Sequence, residues 1–154
     1  MSHPLEDEVL IELGKLTWAA VELEDRVDAV CHCIRHTNPR EDRRAIGQKI
    51  RDARSDLRTW SEGSAVREVD GWLAAAASAL ESRNAFLHAT PLAVFDGNQQ
   101  PVGVALAEMP RTGRNYNERP MTVKGVREVI IELEAAKAEW VGAIRSASQN
   151  RPRL

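Results

Sequence analysis

Apolar positions near the start of the chain fall at alternating spacings of four and three: Val9, Leu13, Leu16, Ala20, Leu23, Val27, Val30 and Ile34. That period keeps one face of an α-helix against a core, so a long helix is expected from about residue 5 to residue 36, stopping before Asn38-Pro39. Ile11 and Trp18, seven apart, point roughly opposite the seam, and a second surface of this helix is expected to be covered. A second helix should follow Pro39, with Ile46, Ile50, Ala53, Leu57 and Trp60 inward. Ser61-Glu62-Gly63-Ser64 ends it and supplies the next N-cap. The third helix carries Val66, Val69, Leu73, Ala76 and Leu80 and reaches about Ala89, because Thr90-Pro91 forces an extended backbone.

The period then changes. Leu92-Ala93-Val94-Phe95, the turn Asp96-Gly97-Asn98, and Val102-Gly103-Val104-Ala105-Leu106 read as a hairpin inserted over about residues 91–108. A polar, basic loop follows from Arg111 to Pro120. Thr122 is placed as the N-cap of a last helix with the stripe Val126, Ile130, Leu133, Trp140 and Ile144, and the tail from about 148 to 154 is expected to fray. With no internal repeat and no linker, residues 1–154 read as a single domain. Its expected class is mainly α: a four-to-five-helix up-down bundle with a small β-hairpin between the third and last long helices.

Composition narrows the partners. Of the 154 residues 43% are hydrophobic and 29% charged, which places the chain among globular proteins and excludes a disordered one. A net charge of −2 gives no global field for a polyanion, so any nucleic-acid surface has to be a local patch. Cys31 and Cys33, two apart on a helix, diverge by about 200° and cannot bridge each other. No disulfide framework is implied, which suits a reducing compartment. The opening MSHPLEDEVL lacks the basic and apolar regions of a signal peptide, and no apolar run approaches a membrane span. A cytoplasmic location without membrane contact is therefore expected.

The candidate chemistry lies at the end of the third helix. Continuing its seam through Val69 and Ala76 brings Arg83 to a position where an apolar residue belongs. Asn84 and His88, four apart, share a face on the flank of that stripe. An unpaired guanidinium is expensive to bury, so Arg83 needs a partner or a groove. One explanation is structural: basic groups in a last turn interact favourably with the helix dipole and free carbonyls.

Arg83-Asn84-Ala85-Phe86-Leu87-His88 resembles the arginine, four to six residues, histidine motif of HEPN (higher eukaryotes and prokaryotes nucleotide-binding) ribonucleases, in which a polar residue often follows the arginine. Ile46-Gly47-Gln48-Lys49-Ile50 resembles a segment of the preceding helix in that family. The resemblance covers most of the chain in architecture, but its specific content is a few residues. It implies a metal-independent endoribonuclease that needs no cofactor, in which a 2′-hydroxyl attacks the adjacent phosphate. Arg83 would stabilise the transition state, His88 would act as acid or base and Asn84 would orient. It also implies a homodimer with both motifs in one groove, to which the Ile11/Trp18 side of the first helix offers a contact surface, and a role in defence or stress response. Members paired with a nucleotidyltransferase antitoxin tend to carry tyrosine two residues after the histidine. Here that residue is Thr90, so silencing by adenylylation there is not available, though a protein antitoxin or regulator of another kind remains open. A catalytically inactive bundle that binds a nucleotide, RNA or a protein is the alternative; a helical interaction module whose Arg83 merely caps carbonyls is a third.

Three further groups bear on this reading. Lys49, Arg51 and Arg54 on the second helix, with Arg111, Arg114 and Tyr116 of the loop, are candidate RNA contacts, although interleaved acids also fit a solvated charged face. Arg26 and His32 match the bare motif spacing, but mid-helix and with Val27 after the arginine, and are treated as coincidence. Asp28, His32 and His36 recur at four-residue spacing, as in helical metal sites. With no fourth ligand evident they are expected to be solvent-exposed, and no metal is assigned.

Overall fold

The computed structural model of the protein describes residues 7–39, 41–87, 90–107, 118–120 and 122–152. The chain is mainly helical, and the helices form one bundle. Helix α1 (Asp7–Arg35) follows the four-three seam closely: Val9, Leu16, Ala20, Leu23, Val27, Val30 and Ile34 are buried, and Leu13 packs against them. Acidic Asp7 and Glu8 open the helix and basic His32 and Arg35 close it, the arrangement its dipole favours. It stops where His36 takes a left-handed backbone, φ 55°, ahead of Pro39.

Helix α2 (Ile46–Leu57) begins at the first residue of its apolar pattern rather than directly after Pro39. Residues 41–44 turn instead: the Asn38 carbonyl accepts from the backbone N–H groups of Glu41 and Asp42, and the Asp42 carboxylate accepts from that of Arg44. Trp60 is buried just beyond the helix end. Helix α3 (Ser64–Leu87) buries Val69, Trp72, Leu73, Ala76, Ala79 and Leu80. The last stripe is two helices rather than one. Thr122 caps α4 (Val123–Ala138) by accepting from Gly125 N–H at 3.0 Å, and Glu139 separates it from α5 (Trp140–Asn150). At this break the Ala136 carbonyl accepts from the Trp72 indole at 2.8 Å and from Glu139 N–H. Helix α5 extends to Asn150, past the point where fraying was expected, because Ala143 and Ala147 are buried.

Contacts along the helices give their directions. Glu12–Arg127, Glu22–Lys137 and His36–Arg151 all join residues 115 apart, so α4 and α5 run alongside α1 in the same sense. Lys49–Asp28 and Arg35–Asp56 are both 21 apart, so α2 also runs with α1, beside its C-terminal half. Helix α3 runs the other way: Trp72 meets Ala136 while Glu68 meets Ser146. The expected up-down alternation is therefore corrected at its first step. The segment between α1 and α2 is long enough to carry the chain back, and both helices can then bury an apolar face on α3. The leucines at positions 16, 23, 57, 73 and 133 lie fully buried at the centre. Each contributes about 1.5–3 kcal/mol by leaving water.

Between α3 and α4 the chain forms β1 (Thr90–Phe95), β2 (Pro101–Ala107) and β3 (Glu118–Pro120), antiparallel in the order β1-β2-β3. The Asp96 carboxylate accepts from the N–H groups of Asn98 and Gln100, which tightens the turn between β1 and β2. Among the described residues no helix is long and apolar enough to cross a membrane.

Candidate functional site

Because α2 is short and covers only part of α3, a groove of about 780 Å³ opens between them. On one side it is lined by the first turn of α2, Ile46, Gly47 and Gln48, then by Arg51, Arg54 and, at the helix's C-cap, Arg58, at spacings of three and four. On α3 the opposite wall is Ala77, Leu80, Glu81, Arg83 and Asn84. The first turn of α2 has no acidic residue, and its N-cap, Ala45, has no side chain with which to cap. Four arginines and one acid thus face one cleft, although the chain as a whole is slightly acidic.

The four guanidinium groups differ in what already holds them. Arg54 is forked on Asp70, with Nε and Nη2 at 2.7 and 3.0 Å from the two carboxylate oxygens. That pair holds the arginine above its ordinary pKa and the Asp70 carboxyl below the usual range, against the opposing pull of burial. Arg83 Nη2 donates to Glu24 Oε1 on α1 at 2.5 Å, and the Arg83 side chain is only 14% exposed. Its Nε is buried and finds no hydrogen-bond partner among the described residues. Arg51 donates to the neutral Gln48 side chain, and both Arg51 and Arg58 are exposed. Neither has a carboxylate at salt-bridge distance among the described residues, although Arg58 lies near enough to Asp70 to help hold that carboxyl low. Asn84 is exposed and lines the groove. The cleft suits a chain of oxyanions: Arg51 and Arg58 carry no salt bridge among the described residues, and Arg83 and Asn84 add a fork-shaped donor and an amide.

Arg83, Asn84, Arg51 and Arg54, singled out by sequence, are thereby brought together. Lys49 is not. Two residues from Arg51, it points to the other side of α2, where it is buried and donates to Asp28 Oδ1 at 2.6 Å; its assignment as an RNA contact is corrected. His32 also departs from expectation. It is buried rather than solvent-exposed, with Nδ1 on Thr37 Oγ1 and Nε2 at 3.1 Å from Asp28 Oδ1, too poorly aligned there for a hydrogen bond. His36 is exposed against Arg151, and among the described residues no three such side chains form a metal-binding group. In the coincidental motif match, Arg26 lies 4.7 Å from the Trp140 ring while His32 is buried against Thr37 and Asp28. His88, Arg111, Arg114 and Tyr116 lie outside the described residues.

At the end of α3 Phe86 is buried and Leu87 exposed, Trp72, Ala79 and Phe86 continuing one buried stripe at seven-residue steps. Sequence reasoning missed Glu24, whose role depends on which helix packs beside Arg83. It could have set Lys49 apart from Arg51, Arg54 and Arg58, since only those three share a helical stripe. Comparison with protein-family models, curated proteins and solved structures gives no match to the chain.

Proposed function

We propose that the chain is a metal-independent endoribonuclease of the HEPN type whose RNA site is the groove between α2 and α3. One observation carries the reading: Arg83 and Asn84, picked out by the motif, share a cleft with Arg51 and Arg54 of α2 and its C-cap Arg58. Arg51 and Arg58 seat backbone phosphates. A base removes the proton of the 2′-hydroxyl, whose oxygen attacks the adjacent phosphorus. The P–O5′ bond breaks, an acid protonates the leaving 5′-oxygen, and a 2′,3′-cyclic phosphate remains. His88 fills the acid or base role by resemblance, since imidazole titrates near neutrality. Arg83 supplies a planar fork of donors to the oxygens of the pentacoordinate phosphorus, and Asn84 orients one of them. A homodimer belongs to this reading; Ile11 and Trp18, 60% and 67% exposed on α1, offer it two large apolar contacts.

The second reading, a catalytically silent module that binds RNA, is favoured by one feature: Arg83 is already engaged by Glu24. The test incubates the protein with a single-stranded oligoribonucleotide in EDTA, beside the Arg83→Ala and His88→Ala variants. Cleavage to cyclic-phosphate ends by the wild type, reduced about a hundredfold or more in each variant, supports the nuclease. Equal cleavage by all three identifies a contaminant and removes the activity. Binding without cleavage, weakened by Arg51→Ala, supports the silent module. If there is neither, both readings fail.

A further inference from the structure

Arg83 lines the groove, yet the guanidinium is not free to use it. A guanidinium grips an oxyanion bidentately through one of two edges, Nε with Nη2 or Nη1 with Nη2. Nη2 is common to both. It is the nitrogen that donates to Glu24 Oε1, at 2.5 Å. The other donor of the first edge, Nε, is buried and unpartnered among the described residues. A single carboxylate oxygen thus closes both forks while satisfying neither completely. The Glu24 side chain is 34% exposed, so it can leave Arg83 for water without crossing the core. Arg51, Arg54 and Glu81 line the same groove.

From this geometry we infer that Glu24 is a latch: it keeps the oxyanion-gripping edges of Arg83 closed in the free protein, and a phosphodiester gains a bidentate hold only by displacing it. The phosphodiester half of this inference rests on the RNA reading above; the latch itself does not. Displacement exchanges one oxyanion for another on Nη2 and brings an acceptor to Nε. The groove therefore discriminates in favour of ligands that also engage Arg51 and Arg58, because an isolated phosphate meets the competing carboxylate without that help. Glu24 acts through Arg83, so it is a positioning residue.

The test is arginine-selective labelling with phenylglyoxal, mapped by peptide mass spectrometry, on the full chain and its Glu24→Gln and Glu24→Ala variants. Arg54, forked on Asp70, serves as the internal reference. Labelling of Arg83 should rise about fivefold in both variants with Arg54 unchanged, the change expected on losing a partly exposed ion pair worth about 1 kcal/mol. A parallel binding assay uses a fluorescent single-stranded oligoribonucleotide. Affinity should rise about fivefold in Glu24→Gln, and the gain should vanish when Arg83→Ala is also present. Unchanged Arg83 labelling in both variants, or equal increases at Arg54 and Arg83, overturns the latch. Selective labelling without RNA binding by any protein keeps the latch and removes the RNA reading.

Discussion

Lys49 separates structural charge from binding charge, and its replacement by alanine tests the division of labour between the two sides of α2. The Lys49 side chain is 9% exposed and its ammonium lies 2.6 Å from Asp28 Oδ1, on a carboxylate that is 26% exposed. His32 Nε2 approaches the same oxygen. Lys49→Ala leaves Asp28 with a poorly aligned imidazole and opens the space of a four-carbon stem between α1 and α2. Removing one partner of a fully buried pair costs about 3–5 kcal/mol; Asp28 keeps part of its hydration, so about 2–3 kcal/mol is expected here. At about 2–4 °C per kcal/mol for a chain of this size, Tm should fall by about 4–12 °C, read by circular dichroism. Joint replacement, Asp28→Asn with Lys49→Met, should recover part of the loss, since no charge is then stranded. Oligoribonucleotide affinity of folded Lys49→Ala should stay within about twofold of wild type, whereas Arg51→Ala and Arg58→Ala should each reduce the salt slope of binding by about one. An unchanged Tm, or a loss of affinity with its salt slope reduced in Lys49→Ala, would refute the reasoning.

Burial, reinforced by Asp28, pushes the Cys31 thiol up to about 12. Iodoacetamide at about pH 8 should therefore modify Cys33 and spare Cys31 in the folded chain, as mass spectrometry of the digest would show. A folded-state value above the unfolded one means that this contribution to stability is complete below about pH 8.5 and is lost as pH rises towards the folded value. Cys31→Ala should have a shallower alkaline decline in Tm. Glu12 is held below the ordinary carboxylate range by hydrogen bonds from Lys15 and Arg127. Its contribution is present above the ordinary value of 4.5 and lost as pH falls through the depressed one, so Arg127→Met should show a smaller Tm loss on acidification. Ile11→Ser with Trp18→Ser should convert the proposed dimer to monomer in size-exclusion chromatography with light scattering and leave Tm measured at low concentration nearly unchanged. A dimer that survives both substitutions places the interface elsewhere.

The seams of α1 and α3 and the cap at Thr122 were legible because each depends on residues within a few turns of one another: apolar spacing decides the buried face, and a side-chain oxygen decides the first turn. The break at Glu139 was not, since the stripe from Val126 to Ile144 keeps helical spacing across it; what marks the break is the indole of Trp72, sixty-four residues away in sequence, on the Ala136 carbonyl. The same boundary runs through the candidate site. Sequence alone determined that Arg83 stands in an apolar stripe beside Asn84, and that α2 carries many cations among interleaved acids. Only tertiary structure decided which of those cations remain available. The course of α2 between α1 and α3 brings Lys49 to Asp28 and Arg54 to Asp70 and leaves Arg51 and Arg58 exposed in the groove, and Arg83 comes within reach of Glu24. A helix pattern specifies the direction of a charge around its own axis. Whether that charge meets a carboxylate, a core or open water depends on which helix lies opposite, and that is a property of the packed bundle.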